Sequence, residues 1–291
     1  MSAEVAETIA RVRAWREDHR LAGRRVGFVP TMGALHAGHA RLIETARRNG
    51  DQVIVSVFVN PLQFDRKDDL ERYPRTFEAD LRLCSALGVQ LVFAPSVGEM
   101  YPAEPMCTVT VKRITERLCG QFRPGHFDGV ATVVTKLFDI VQPDVAYFGE
   151  KDAQQLAVIR RMVRDLDMPV EIVGVATVRE PDGLALSSRN ARLSAAERSK
   201  SIALYRALRD AERAIAAGER DARAVERRAA AVIPPDASLR LEYLEVVDPV
   251  DLQRVDTIAG IVLVAGALWV GSTRLIDNIT CDPSRKAASE P

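Results

Sequence analysis

Residues 30–46 read PTMGALHAGHARLIETA, and the apolar run VGFV at 26–29 leads directly into them. The run is short, nearly continuous and rich in Val, as a strand buried on both faces would be. From residue 38 to 49 the apolar positions recur with helical spacing. Strand, turn and helix therefore follow one another within about two dozen residues. Gly33 and Gly38 allow close backbone approach, and His36 and His39, three residues apart at the start of the helix, present two imidazoles on one side. A helix N-terminus adds N–H groups and a positive dipole end, so an anion such as phosphate is the natural guest. Neither a G-x-G-x-x-G fingerprint nor a Walker loop occurs in the chain. The His-x-x-His spacing by itself has two readings, a chance pairing or a working pair, and its position after the first apolar run favours the second. Zinc would need a third ligand, whereas His19 falls on a polar helix and His126 in a separate motif.

The same alternation continues outward. Apolar runs at 53–59, 89–94, 145–148 and 170–175 are interleaved with helical patterns at 76–87, 128–141 and 152–166. This order predicts an α/β fold with a Rossmann-like parallel sheet and right-handed crossovers. Ligands of such sheets lie beyond the carboxyl ends of the strands, near a switch in strand order. Upstream, Val5, Ile9, Val12 and Trp15 fall on one stripe, which reads as an amphipathic first helix. Beyond residue 178 the texture changes. An Ala/Arg/Glu-rich stretch, 194–232, offers Ile202, Leu204, Leu208 and Ile215 as the apolar side of helices and ends near Pro234 and Pro235, after which 240–247, 260–269 and 273–279 read as strands. The expected domains are 1–178, the catalytic Rossmann-like part, and 179–291, a smaller α+β C-terminal lid. The polar tail, 282–291, is expected to fray.

Composition narrows the class. The 291 residues hold 40 Lys+Arg against 40 Asp+Glu, so there is no cationic excess for nucleic acid or an anionic membrane. Four cysteines, Cys84, Cys107, Cys119 and Cys281, form no C-x-x-C pair, which fits a reducing cytoplasm. No window approaches the roughly 20 apolar residues of a membrane span, and the N-terminus lacks a signal-peptide core.

Further candidates sit at the ends of the apolar runs. FVNPLQF, 58–64, offers Asn60 and Gln63 around a proline turn. They suit a hydroxyl or carboxylate that must be gripped without added charge, and equally an ordinary Asn-Pro turn. In DLERYPRTFEADL, Asp80 could reach a magnesium ion, whereas a helix cap or plain solvation is the commoner use of such acids. YFGEKDAQQL, 147–156, ends a strand at Gly149 and opens a helix with Lys151, Asp152 and Gln155. A lysine there opposes the dipole, so either an anion sits nearby or the lysine is a plain surface one beside a capping carboxylate. Arg123 and His126 share the turn RPGHFDG, and SSRN, 187–190, sets two hydroxyls and Arg189 on an interdomain loop.

Taken in order, PTMGALHAGH, VSVFVNPLQF, YPRT, RPGHFDGV, FGEKDAQQL and LSSRN make the chain resemble the pantoate–β-alanine ligase (pantothenate synthetase) family, closely over 26–193 and compatibly elsewhere. The HxGH element also looks like that of the wider nucleotidyltransferase superfamily, which includes class I aminoacyl-tRNA synthetases. The resemblance implies a homodimer that uses ATP and Mg2+ to join pantoate and β-alanine, first forming pantoyl adenylate and pyrophosphate, then the amide and AMP. It implies His39 as the principal catalytic residue with His36, Lys151 and Arg189. Pro30, Met32, Gly38, Gly149, Asp152, Val178, Leu186, Ser187 and Ser188 would border ATP. Gln63, Gln155, Asn60 and Arg123 would hold pantoate or β-alanine, and Asp80 the metal. Three positions depart from the family's habit: Ala37 where Glu is common, Leu186 where Met is common, and Ala79 in place of the first member of an acidic pair.

Two other functions fit the chain less well. Nucleotidyl transfer to a phosphorylated acceptor leaves the neutral pair Gln63 and Gln155 unexplained, since a phosphate favours Arg or Lys. A nucleotide-sensing module without turnover leaves the two histidines, Lys151 and Arg189 without a purpose.

Overall fold

The computed structural model describes residues 2–285. The frayed-tail expectation, for residues 286–291, falls outside them. The chain divides into two compact units. The first comprises Met1–Val111, Arg123–Glu150 and Val158–Val178; the second comprises Lys112–Phe122, Lys151–Ala157 and Arg179–Pro291.

Among the described residues, the first unit is built on six parallel strands: β1 (Glu4–Ala6), β2 (Val26–Thr31), β3 (Gln52–Val57), β4 (Leu91–Phe93), β5 (Val145–Gly149) and β6 (Glu171–Val175). Their spatial order is β1-β4-β3-β2-β5-β6. The chain moves outward from β2 through β3 to β4, then returns to β5 on β2's other side, so the switch point lies between β2 and β5. Strands buried on both faces explain the near-continuous apolar runs. Val29, Val53, Val55, Val92 and Val145 join Leu42, Ile43 and Ala46 of the helix Ala37–Arg48 in one core cluster. Phe28 faces the other way and meets Phe138 of the helix His126–Val141 edge-on, with ring centroids 6.3 Å apart. Deleting an aromatic from such a layer costs roughly 3–5 kcal/mol.

The N-terminus departs from its sequence reading. Helix Ile9–Leu21 starts at Thr8, whose hydroxyl accepts the Arg11 amide, and Val5 lies in β1, paired in parallel with β4. A three-residue strand is too short to show an alternation of its own, and Val5 happens to continue the helical stripe.

The second unit carries an antiparallel sheet in the order β7 (Leu239–Val247), β8 (Val262–Val270), β9 (Thr273–Cys281). One face is covered by the helices Ala203–Ala216 and Ala222–Ala231. Leu204, Leu208, Ile215 and Val225 pack there with Val246, Val264 and Leu268. Gly271, at φ +57, makes the tight turn between β8 and β9. No helix among the described residues is long and apolar enough to cross a membrane.

Candidate active site

At the carboxyl end of β2 the chain needs only five residues, Met32 to His36, to enter its helix, and side chains hold this loop. The Gly33 amide donates to Thr31 Oγ1 at 3.1 Å, Ala34 to Asp80 Oδ2 at 2.9 Å, Leu35 to Asp80 Oδ1 at 2.8 Å and His36 to His39 Nδ1 at 3.3 Å. Thr31 in turn donates to the Ser56 carbonyl on β3 at 2.7 Å. Two residues of the loop take positive φ, Gly33 at +78 and Ala34 at +50, which bends the chain back toward the helix start.

His36 is the N-cap. Its Nδ1 accepts the Gly38 amide at 3.1 Å, so each of the two imidazoles receives a backbone N–H at Nδ1. A main-chain N–H can only donate; the neutral rings therefore carry their hydrogens on Nε2. Gly38 makes this possible. A Cβ there would lie 2.8 Å from His36 Cε1, inside the folded-back ring. The result is a pair of half-buried Nε2–H donors, with ring centroids 4.2 Å apart, at a helix terminus that already favours anions.

The turn after β3 supplies a second group. Tyr101 donates its hydroxyl to Asn60 Oδ1 at 2.9 Å, and burial pushes that phenol up to about 12, so it stays a donor. The Leu62 amide reaches the same oxygen. Asn60 Nδ2 must then donate, to the Gly129 carbonyl and to Gln63 Oε1, both at 3.1 Å. That fixes the Gln63 amide with its NH2 as the donor end, 3.1 Å from Met32 Sδ. Asn60 and Gln63 are 1% and 8% exposed, so these are not surface amides. Gly129 permits the approach, because a Cβ would collide with the Leu62 carbonyl at 2.3 Å.

Arg123 braces the same turn. It pairs with Asp65 at 2.7 Å, donates to the Gln63 carbonyl at 3.3 Å and meets His126 Nε2 at 3.1 Å. The guanidinium only donates, so His126 Nε2 accepts and its Nδ1–H serves the Gln63 carbonyl at 2.7 Å. Pro30, Met32, His36, Gly38, His39, Asn60, Gln63, Asp80, Arg123, Gly149 and Val178 all belong to the first unit. Gly149 closes β5, the neighbour of β2 across the switch point.

In the second unit, Lys151 has a side chain 19% exposed, with Nζ 3.8 Å from Asp152 Oδ2, and its carbonyl accepts from Asn278 Nδ2 at 2.8 Å. Gln155 is half-buried on the helix Ala153–Asp165. The neighbouring Gln154 is tied to the Ile114 and Arg117 carbonyls, both at 2.8 Å. Leu186, Ser187, Ser188 and Arg189 are half-buried, with Ser187 Oγ accepting the Arg189 amide at 3.2 Å. Behind them, Arg179 grips Asp277 at 2.6 Å and lies over the Tyr205 ring, while Asn190 Nδ2 donates to the Ala185 carbonyl.

The expectation of a metal at Asp80 meets a different finding. The side chain is 2% exposed and both oxygens accept loop amides, with Thr76 Oγ1 at 3.2 Å as a further donor. No group of three or more His, Cys, Asp or Glu is gathered for a metal among the described residues. Thr31, Thr76, Tyr101 and Asp65 were missed in the sequence. Thr31 inside PTMGALHAGH and Thr76 inside YPRT carried a motif signal, as did His126 inside RPGHFDG, whereas Tyr101 and Asp65 lie outside the quoted motifs.

Comparison with known proteins gives the family. The family model described as pantoate-beta-alanine ligase matches residues 4–280. A pantothenate synthetase of Pelobacter propionicus is 54% identical over 88% of this chain and 90% of its own. Among solved structures, the pantothenate synthetase of Thermus thermophilus superposes with a TM-score of 0.89 at 47% identity, covering 95% of this chain and 98% of that one. A pantoate-beta-alanine ligase of Francisella tularensis, described as complexed with β,γ ATP and β-alanine, gives a TM-score of 0.79 at 32% identity, covering 99% of this chain and 100% of that one.

Proposed function

The chain belongs to the pantoate–β-alanine ligase family, and from that premise we propose how its residues divide the work of the reaction. It is an ATP-dependent ligase that joins pantoate to β-alanine, making pantothenate through a pantoyl adenylate. That assignment displaces nucleotidyl transfer to a phosphorylated acceptor and the sensing module alike.

In the first step a pantoate carboxylate oxygen attacks the α-phosphorus of ATP and pyrophosphate leaves. Bringing a carboxylate to roughly 4 Å from a phosphate charge costs about 4 kcal/mol at an effective dielectric near 20. The observation that carries our reading is the paired cap of His36 and His39, because it leaves both Nε2–H groups as fixed donors at a helix N-terminus. They serve the phosphate oxygens as negative charge builds in the transition state. Pro30, Met32, Gly38, Gly149, Asp152, Val178 and Leu186 border the nucleotide, and Lys151, Ser187, Ser188 and Arg189 add donors and charge to its phosphates. Magnesium would come with ATP and be held mainly by its phosphates; Asp80 is not a ligand in this reading, since its oxygens already accept two amides.

Gln63 offers its NH2 to pantoate, with Gln155 as the second amide; Asn60 and Arg123 hold Gln63 in place. A neutral donor orients the substrate without quenching its nucleophilic carboxylate. In the second step the β-alanine amine attacks the acyl carbon, AMP departs and the nitrogen loses a proton. The adenylate is a mixed anhydride, so water must be excluded, a purpose that suits a lid at 179–291, with 1–178 as the catalytic part. A homodimer in the cytoplasm completes the reading; the family resemblance implies the first, and four cysteines with no C-x-x-C pair suit the second.

The experiment is pyrophosphate exchange into ATP. Exchange that requires pantoate and proceeds without β-alanine supports the two-step ligase; exchange that ignores pantoate refutes it.

A further inference from the structure

The loop between β2 and the helix Ala37–Arg48 carries His36 at its end, and two of its amides are held by neighbours of its own. Thr31 holds Gly33 and His39 holds His36. Asp80 is the exception. It comes from another element, the helix Phe77–Ala86, and holds two consecutive amides, Ala34 and Leu35, across 46 and 45 residues of sequence. It is also the only one of these anchors with a carboxylate, whose hydrogen bonds are the shorter and stronger kind. Ala34 sits at φ +50, a conformation that a residue with a Cβ rarely adopts and that persists only when the surroundings impose it. Gly33 belongs to the same fitting, since a Cβ there would lie 3.0 Å from Asp80 Oδ2 and 3.0 Å from Val57 Cγ1.

We propose that Asp80 is a positioning residue for the ligase: by clamping the Ala34 and Leu35 amides it sets the path of the loop and thereby aims His36 and His39. The carboxylate touches no substrate. Thr76 acts on it in turn, its hydroxyl donating to the carboxylate at 3.2 Å from the residue that precedes the helix. The proposal rests on the assignment of the two histidines to the nucleotide phosphates, and it assigns Asp80 a task other than metal binding. Asparagine would keep the shape at residue 80 while setting an NH2 against one of the two amides, a donor facing a donor. The clamp opens on one side, the loop shifts, and the histidines lose their aim.

The test compares Asp80→Asn, Thr76→Val, Val89→Ala and His39→Asn with the wild type. Pantoate-dependent pyrophosphate exchange is measured against ATP, pantoate and magnesium, and melting temperature is recorded for each. Val89→Ala trims the same core without removing any of these hydrogen bonds. Asp80→Asn is expected to lower kcat about a hundredfold, the effect of a misplacement near 1 Å. Its KM for pantoate should stay near the wild-type value, because Gln63 is held by Asn60, and magnesium far above saturation should not restore the rate. Thr76→Val, which keeps the carboxylate and folds more readily, should fall in the same direction by about fivefold, as for one lost hydrogen bond. Val89→Ala should lose stability and keep kcat. Recovery of Asp80→Asn at high magnesium would make it a metal ligand and overturn the proposal, as would an equal loss of kcat in Val89→Ala. If His39→Asn is inactive while Asp80→Asn and Thr76→Val turn over normally, the proposal fails alone. If His39→Asn is fully active, the reading of the site fails first and takes this proposal with it.

Discussion

His39 holds the main chain of His36. Its Nδ1 accepts the His36 amide at 3.3 Å, and the two rings lie 4.2 Å apart at a tilt of 45°. Each imidazole thus has two tasks in the proposed reaction, shape on Nδ1 and, as we propose, chemistry on Nε2. Asparagine can separate them, because its Oδ1 can accept the same amide while nothing replaces Nε2–H. His36→Asn should therefore stay within about 1 kcal/mol of wild-type stability, Asn being among the preferred N-caps. Its rate of adenylate formation should fall about a hundredfold, as for the loss of one transition-state donor. Chemical denaturation together with pyrophosphate exchange checks both halves; a stable variant with normal exchange would leave His36 a cap only.

Gly38→Ala sets two effects against each other. Alanine is favoured over glycine in a helix by about 1 kcal/mol. Here its Cβ would come 2.8 Å from His36 Cε1, and the displaced ring would forfeit its cap, which is worth about the same. Stability is expected to change little while activity falls tenfold or more, about the effect of an ill-aimed donor. Thermal melts and kcat on the same sample decide it.

Gln63→Glu keeps the size of the side chain and replaces its NH2 by an oxygen. The donor that faces Met32 disappears and a charge enters a residue only 8% exposed. We expect the pantoate KM to rise roughly thirtyfold, equivalent to about 2 kcal/mol for a mismatched buried donor. Steady-state kinetics with ATP saturating measures it, and an unchanged KM would remove Gln63 from the pantoate site.

Alkaline pH reports on Tyr101. Burial pushes its phenol up to about 12, as it does that of Tyr147, whereas an unfolded tyrosine ionises near 10. Unfolding therefore releases protons between pH 10 and 12. The stability these phenols contribute is full below pH 10 and is lost as pH rises through about 12. Tyr101→Phe should make that decline shallower, with Tyr147, Tyr243, Cys84 and Cys281, all pushed up by burial, supplying what is left. Melting temperatures taken from pH 9 upward test this, and parallel profiles for the two proteins would contradict it.

What the sequence disclosed follows from how far apart the partners lie. The HxGH turn was legible because its donors, glycines and helix start are contiguous, and the sheet because strands covered on both faces leave unbroken apolar runs. The strand β1 was hidden by its length, three residues whose Val5 mimics a helical stripe. Asp80 reads as a metal ligand, a cap or a solvated acid because the amides it accepts are 45 and 46 residues away, and Tyr101 gives no signal because Asn60 is 41 residues from it. Asn60 and Gln63 were open to a surface reading until Tyr101 and Gly129 closed around them.

The central claim is that the His39 Nε2–H stabilises the attack of pantoate on ATP. Rapid-quench measurement of pyrophosphate release in a single turnover, with pantoate present and β-alanine absent, tests it most directly in His39→Asn, which can keep the cap on the His36 amide. The first turnover is expected to be slower by about a hundred- to a thousandfold in a protein that melts like the wild type. A wild-type burst from that variant would contradict it.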